Sequence, residues 1–183
     1  MQKIKNISME RRTLACIWYV GNTETFRSVA DRFGVSKGTL HYHVAKFNAV
    51  FRDHLILQQL ISWPRNEQQY NSTAEGFLGR AGFPCVVGAL DGTYVPISGP
   101  SSYRDSYICR KGYPAMHLQA VCDSELMFLD VFSAYPGSVH DARVFKNSPL
   151  YDALQELPPK FHLLGDSAYP LRAHVFLAVR KGV

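Results

Sequence analysis

The chain is 183 residues long and 46% of it is apolar, enough for one ordinary domain plus a small one, which excludes a disordered tail. It has no apolar run of about 18 residues, and the opening MQKIKNISMERR lacks the uncharged stretch that a signal peptide carries after its basic residues, so a soluble intracellular protein without membrane partners is expected. The net charge of +5 is unevenly spread: residues 1–69 hold ten Lys/Arg against five Asp/Glu, and residues 70–183 hold ten against ten, a basic head on a neutral body.

A basic head suits a nucleic-acid partner, because neutralising phosphates supplies most non-specific affinity, although charge alone also fits a merely basic surface. In chain order, RTLACIWY from Arg12 has helical apolar spacing and stops at Gly21-Asn22. TETFRSVADRF repeats Phe26, Val29, Ala30 and Phe33 along one stripe, Gly34 ends it, Val35 fills the turn, and Ser36 is positioned to cap SKGTLHYHVAKFNAVF. That succession reads as a helix-turn-helix, with the alternative of a three-helix bundle that binds no DNA. On the second helix Lys37, Thr39, His41, Tyr42 and Lys46 lie off the apolar stripe and are the candidates for contacting DNA, Lys37, Thr39 and Tyr42 first among them. His41 and His43, two apart on a helix, point in different directions and do not suggest a metal, and the four cysteines form no C-x-x-C pair. After Arg52 a further helix, a break at Pro64 and a second short helix ending at Gly79 or Gly82 are expected as connecting structure, with Trp63 and Tyr70 as core anchors.

In the body, CVVGALDGTYVPI (85–97) reads as a buried strand carrying Asp91. A tyrosine-rich loop follows, then two alternating strands in MHLQAVCDSELMFLDVFSAYPG joined at Asp123-Ser124-Glu125. SVHDARVFKN opens like a capping box, with Ser138 as N-cap and Asp141 three residues on. A short helix stops at Pro158-Pro159, and FHLL is a last strand with Asp166 just past its end. The expected order is β-β-β-α-β, and a last strand parallel to the first brings Asp91 and Asp166 side by side.

Two acids borne on apolar strands repel each other and resist burial unless a cation sits between them. Mg²⁺ or Mn²⁺ fits that need, and phosphodiester cleavage is the chemistry it serves. Asp91-Gly92 could instead be a turn dipeptide and Asp166 a cap; Asp141 is read as the capping-box acid.

GALDGTYVPI, YRDSYICRKGYPAMHLQAVCD, PGSVHDARVFKNSPLY and LLGDSAYPL, preceded by VADRFGVSKGTLHYHV, together resemble the Harbinger/PIF-type DDE transposases and their domesticated nuclease relatives. The resemblance implies an RNase H-like fold, divalent-metal-dependent cutting of DNA, nuclear or also cytoplasmic location, and a Myb-like DNA-binding partner protein. The family's first two catalytic, metal-binding aspartates fall on Asp91 and Asp166. Its third acid, a glutamate on a later helix, has no counterpart, since no Asp or Glu follows Asp166. The expectation is thus an α+β or α/β chain: residues 1–82 a helix-turn-helix DNA-binding region with connecting helices, residues 83–183 a truncated, incomplete RNase H-like mixed sheet. It is expected to act as a metal-dependent DNA nuclease, inactive if the missing acid is indispensable; the alternative is a non-catalytic DNA- or protein-binding module that works through its head.

Overall fold

The computed structural model describes residues 8–22, 24–52, 59–170 and 174–177. Three helices come first, each opened by a side-chain cap that satisfies one of the helix's orphan N–H groups. Ser8 caps α1 (Met9–Gly21), Thr25 caps α2 (Phe26–Phe33) and Ser36 caps α3 (Lys37–Phe51), accepting from the backbone N–H of Arg11, Ser28 and Thr39 respectively. The first helix starts at Met9 rather than near Arg12 because Ser8 is its cap. Between α2 and α3, Gly34 adopts φ 59°, and the N–H groups of Gly34 and Val35 close onto the carbonyls of Asp31 and Ala30. The stripe read from the sequence is the one that is buried: Val29, Ala30, Leu40 and Val44 form a core with Ala15 and Cys16 of α1. Part of the helix expected after Arg52, residues 53–58, lies outside the described residues.

Helix α4 (Glu67–Ala81) is capped by Asn66 and ends at Gly82, whose φ is 72°. Its stripe of Tyr70, Ala74 and Phe77 is buried, and Tyr70 and Ala74 join a core with Val87, Phe161 and Leu163. The chain accordingly divides into compact units Met1–Leu60 and Ile61–Val183. The sequence boundary at residue 82 had grouped α4 with the head, but the helix packs against the first strand, and its apolar stripe belongs to the sheet's core.

The second unit is built on β1 (Val86–Pro96), β2 (Ala115–Cys122), β3 (Phe128–Pro136), β4 (His162–Gly165) and β5 (Val175–Leu177), with short helices α5 (Asp141–Lys146) and α6 (Pro149–Ala153) between β3 and β4. The sheet order is β3-β2-β1-β4-β5. The first three strands are mutually antiparallel and β4 and β5 run parallel to β1, giving a mixed α+β architecture with a five-stranded mixed sheet. The fifth strand is one more than expected: HVFLAVRKGV carries no alternation to announce it, and Val175 earns its place by complete burial. Val87, Leu90, Val121 and Leu163 pack with Phe145 and Leu150 of the short helices and with Leu154 just after them; each such side chain taken from water contributes about 1.5–3 kcal/mol.

The capping box expected at Ser138 does not form. The helix begins at Asp141 with His140 as its N-cap residue, and no side chain caps it. Ser138 Oγ instead donates to the Ser106 carbonyl, and the Asp141 carboxylate turns to a buried histidine.

Candidate functional site

Asp91 lies inside β1, which continues to Pro96, so Asp91-Gly92 is not a turn. Asp166 follows the last residue of β4. The parallel register pairs Ala89 with Leu164 and Leu90 with Gly165. Each acid follows the last registered pair, Asp91 within β1 and Asp166 just past the end of β4, so the backbone brings them out at the same level beside one another, and both are exposed. One oxygen of each is held by backbone: Asp91 Oδ1 accepts from Gly92 N at 2.8 Å, and Asp166 Oδ1 accepts from Ala168 N at 2.9 Å. Two carboxylates in this position suit a divalent cation that completes its shell with water and phosphate oxygens. Among the described residues no group of three or more His, Cys, Asp or Glu side chains could form a closed metal cage.

Beneath Asp91, on the covered side of the sheet, is a polar cluster that the sequence did not disclose. A Cβ on Gly92 would stand 2.5 Å from Asp141 Oδ1, 2.8 Å from His117 Nε2 and 3.2 Å from the Tyr169 hydroxyl. His117, wholly buried on β2, places Nε2 2.8 Å from Asp141 Oδ1 and Nδ1 3.1 Å from the Val139 carbonyl. The Asp141 contact is close but not aligned as a hydrogen bond to Nε2. The neighbouring carboxylate raises the imidazole pKa against the opposing pull of burial, and the imidazole in turn lowers that of Asp141. Tyr169 is buried, and its hydroxyl has no hydrogen-bond partner among the described residues. Burial first, and then the negative charges of Asp141, Asp91 and Asp166, push its pKa upward. Tyr169 N also donates to the Asp166 carbonyl at 3.2 Å, so one residue links the loop that bears Asp166 to the cluster behind Asp91.

The strand AMHLQAVC alternates cleanly, but its more polar set, with His117 and Gln119, is the buried one, while Met116, Leu118 and Ala120 are only partly covered. Alternation alone would have turned the strand the other way. A histidine and a glutamine at one parity of the strand were the available signal.

All five head candidates lie on α3, and they are not equivalent. Lys37 and His41, four residues apart, share one flank, and Tyr42 and Lys46 share another. Lys37 and His41 are both exposed, and the His41 ring is tilted against that of Phe26 with centroids 5.3 Å apart. Thr39 is partly buried and its hydroxyl lies 2.8 Å from Ser36 Oγ, tied to the helix cap. Lys46 Nζ sits 4.8 Å from the centre of the Tyr42 ring, a cation–π contact at the surface.

Residues 90–182 match the sequence model of a family described as DDE superfamily endonuclease. Among curated proteins, the chain is 30% identical over 169 residues to "Putative nuclease HARBI1" of Rattus norvegicus, spanning 92% of this chain and 48% of that protein. It is 26% identical over 181 residues to "Protein ALP1-like" of Arabidopsis thaliana, spanning 90% and 43%. The chain thus spans about half the length of the curated relatives it matches. Among solved structures, "Mos1 transposase paired-end complex with left transposon end" is similar at 13% identity and a TM-score of 0.32, over 89% of this chain and 54% of that one, too distant to bear on the fold.

Proposed function

The chain belongs to the DDE superfamily endonucleases, and from that premise we propose that it cleaves DNA phosphodiesters with a divalent cation, Mg²⁺ or Mn²⁺, held by Asp91 and Asp166. The observation that carries the reading is the parallel register of β1 and β4, which sets the two acids side by side at one level of the sheet. The order β3-β2-β1-β4-β5, antiparallel then parallel, supports an RNase H-like reading of the fold. When bound, such a cation polarises a phosphate oxygen and eases ionisation of the attacking water. The chain's own part is to hold the two carboxylates at a fixed separation, with one oxygen of each fixed by a backbone N–H. Gly92, lacking a side chain, lets β1 run over the His117–Asp141–Tyr169 cluster without displacing Asp91. The DNA duplex is gripped by the basic head, through Lys37, Tyr42 and Lys46 on a helix-turn-helix, with Thr39 and His41 in supporting contacts. A nuclear site of action and a Myb-like DNA-binding partner protein belong to the same reading.

Incubation with supercoiled plasmid and Mn²⁺ tests it: nicking is expected, and Asp91→Ala and Asp166→Ala should each reduce it to background. Absence of nicking, or nicking that survives both changes, contradicts it. A second reading, a binding module without catalysis, is favoured by one observation: no third acidic ligand joins Asp91 and Asp166 among the described residues. Its signature is duplex binding that falls with salt and with Lys37→Ala and Lys46→Ala, while both aspartate variants bind normally in the absence of cutting.

A further inference from the structure

Between α1 and α3 of the first unit lies a pocket of about 340 Å³, the size of a small-ligand site. Its apolar wall is made by Met9, Phe47 and Val50, and its cationic side by Arg12 and Lys46, with His43 beside them; none of its lining residues is acidic. Arg12 Nε is shut off from solvent and finds no hydrogen-bond acceptor among the described residues, an arrangement that costs stability while it stays unpaired. Positive charge is already in excess here: burial first, and then the charges of Arg12 and Lys46, lower the His43 pKa and favour its neutral form. An electropositive pocket with an unpaired guanidinium N–H calls for an anion, and its apolar wall calls for something larger than an inorganic one.

We propose that this pocket is a docking site for an acidic, apolar peptide segment of a protein partner, which inserts a Leu- or Phe-sized side chain against Phe47 and Val50 and sets an adjacent carboxylate on Arg12. Charge complementarity carries the assignment. Duplex DNA fits the pocket less well, because its phosphates would satisfy Arg12 but its stacked bases offer nothing to cover the apolar wall. Tyr42 and Lys46 line the pocket and are also among the residues assigned to DNA, so the peptide and the duplex compete through those two side chains. The pocket itself stands whether or not the chain cuts DNA.

The probe is a short fluorescein-labelled amphipathic peptide of Glu, Leu and Ala, with a Gln-for-Glu twin, titrated against the full chain and read by fluorescence anisotropy. Saturable binding of the Glu peptide is expected, weaker by roughly tenfold or more for the Gln twin and for Arg12→Gln, the loss of one charge-assisted hydrogen bond. Val50→Trp, at an exposed position on the pocket mouth, should block binding by filling the space and leave the thermal melt unchanged, while Lys37→Ala should leave peptide binding intact. Any of three results overturns the proposal: no saturable binding, equal binding of both peptides, or binding indifferent to Arg12→Gln and Val50→Trp. Two others do so as well, by assigning the pocket a different occupant: concentration-dependent self-association of the chain relieved by Val50→Trp, or duplex binding, in the absence of peptide, that depends on Arg12 as strongly as on Lys37.

Discussion

Gly92 shows how one residue without a side chain can set the geometry of a site. Its absent Cβ leaves room for Asp141 Oδ1, His117 Nε2 and the Tyr169 hydroxyl, all within 3.2 Å of where that carbon would stand. Gly92→Ala is therefore expected to cost about 1–3 kcal/mol, the usual range for overpacking, as a lowered melting temperature; an unchanged melt would mean the cluster gives way freely. The His117–Asp141 pair makes a second, pH-dependent expectation. His117 binds its proton more tightly than its ordinary value of 6.5, so its contribution is complete below 6.5 and is lost as pH rises through the raised folded value. Asp141 is held below its ordinary 3.8, so its contribution is complete above 3.8 and is lost as pH falls through the lowered value. The pair contributes most between those ordinary values. Asp141→Asn should destabilise the protein by about 3 kcal/mol near pH 5 and clearly less near pH 8, because the substitution leaves a buried imidazolium unpaired only where the imidazole is charged. Thermal melts at the two pH values decide, and an equal loss at both would mean that His117 does not change its protonation state between them.

At the scale of elements, what was legible followed from short-range rules. The stripe of Phe26, Val29, Ala30 and Phe33, the stop at Gly34 and the cap at Ser36 are local, and α2, the turn and α3 sit where they predict. Gly34→Ala should destabilise the chain by about 1 kcal/mol, since the position requires φ 59° and a Cβ would press on Arg11 Nη2 at 2.9 Å. A melt indistinguishable from the parent would show that the turn tolerates a side chain. Strands β1 to β4 were readable as apolar or alternating runs, whereas β5 was not, because three residues are too few to show a period. The capping box at Ser138 failed for a related reason: the motif satisfies a local rule, but the Asp141 carboxylate is engaged by a long-range partner, His117 on β2. Asp91 and Asp166 could be singled out because they interrupt apolar runs. Tyr169 and His117 could not, because their importance depends on which face of the sheet is covered.

Across the whole chain, excess positive charge and catalytic candidates fall in different units: residues 1–60 hold nine Lys/Arg against four Asp/Glu, residues 61–183 hold eleven against eleven, and Asp91 and Asp166 lie in Ile61–Val183. A chain so divided can hold nucleic acid with one part and act on it with another, which is why α4 matters: its Tyr70 and Ala74 bury against the sheet and give that unit its own core. The most direct test of this account is a calorimetric titration of the full chain with Mn²⁺ in the absence of DNA. One binding event is expected, lost in Asp91→Asn and in Asp166→Asn and kept in Asp141→Asn, whose carboxylate faces His117. No Mn²⁺ binding by the parent chain, or binding that persists in either of the first two variants, would contradict the account.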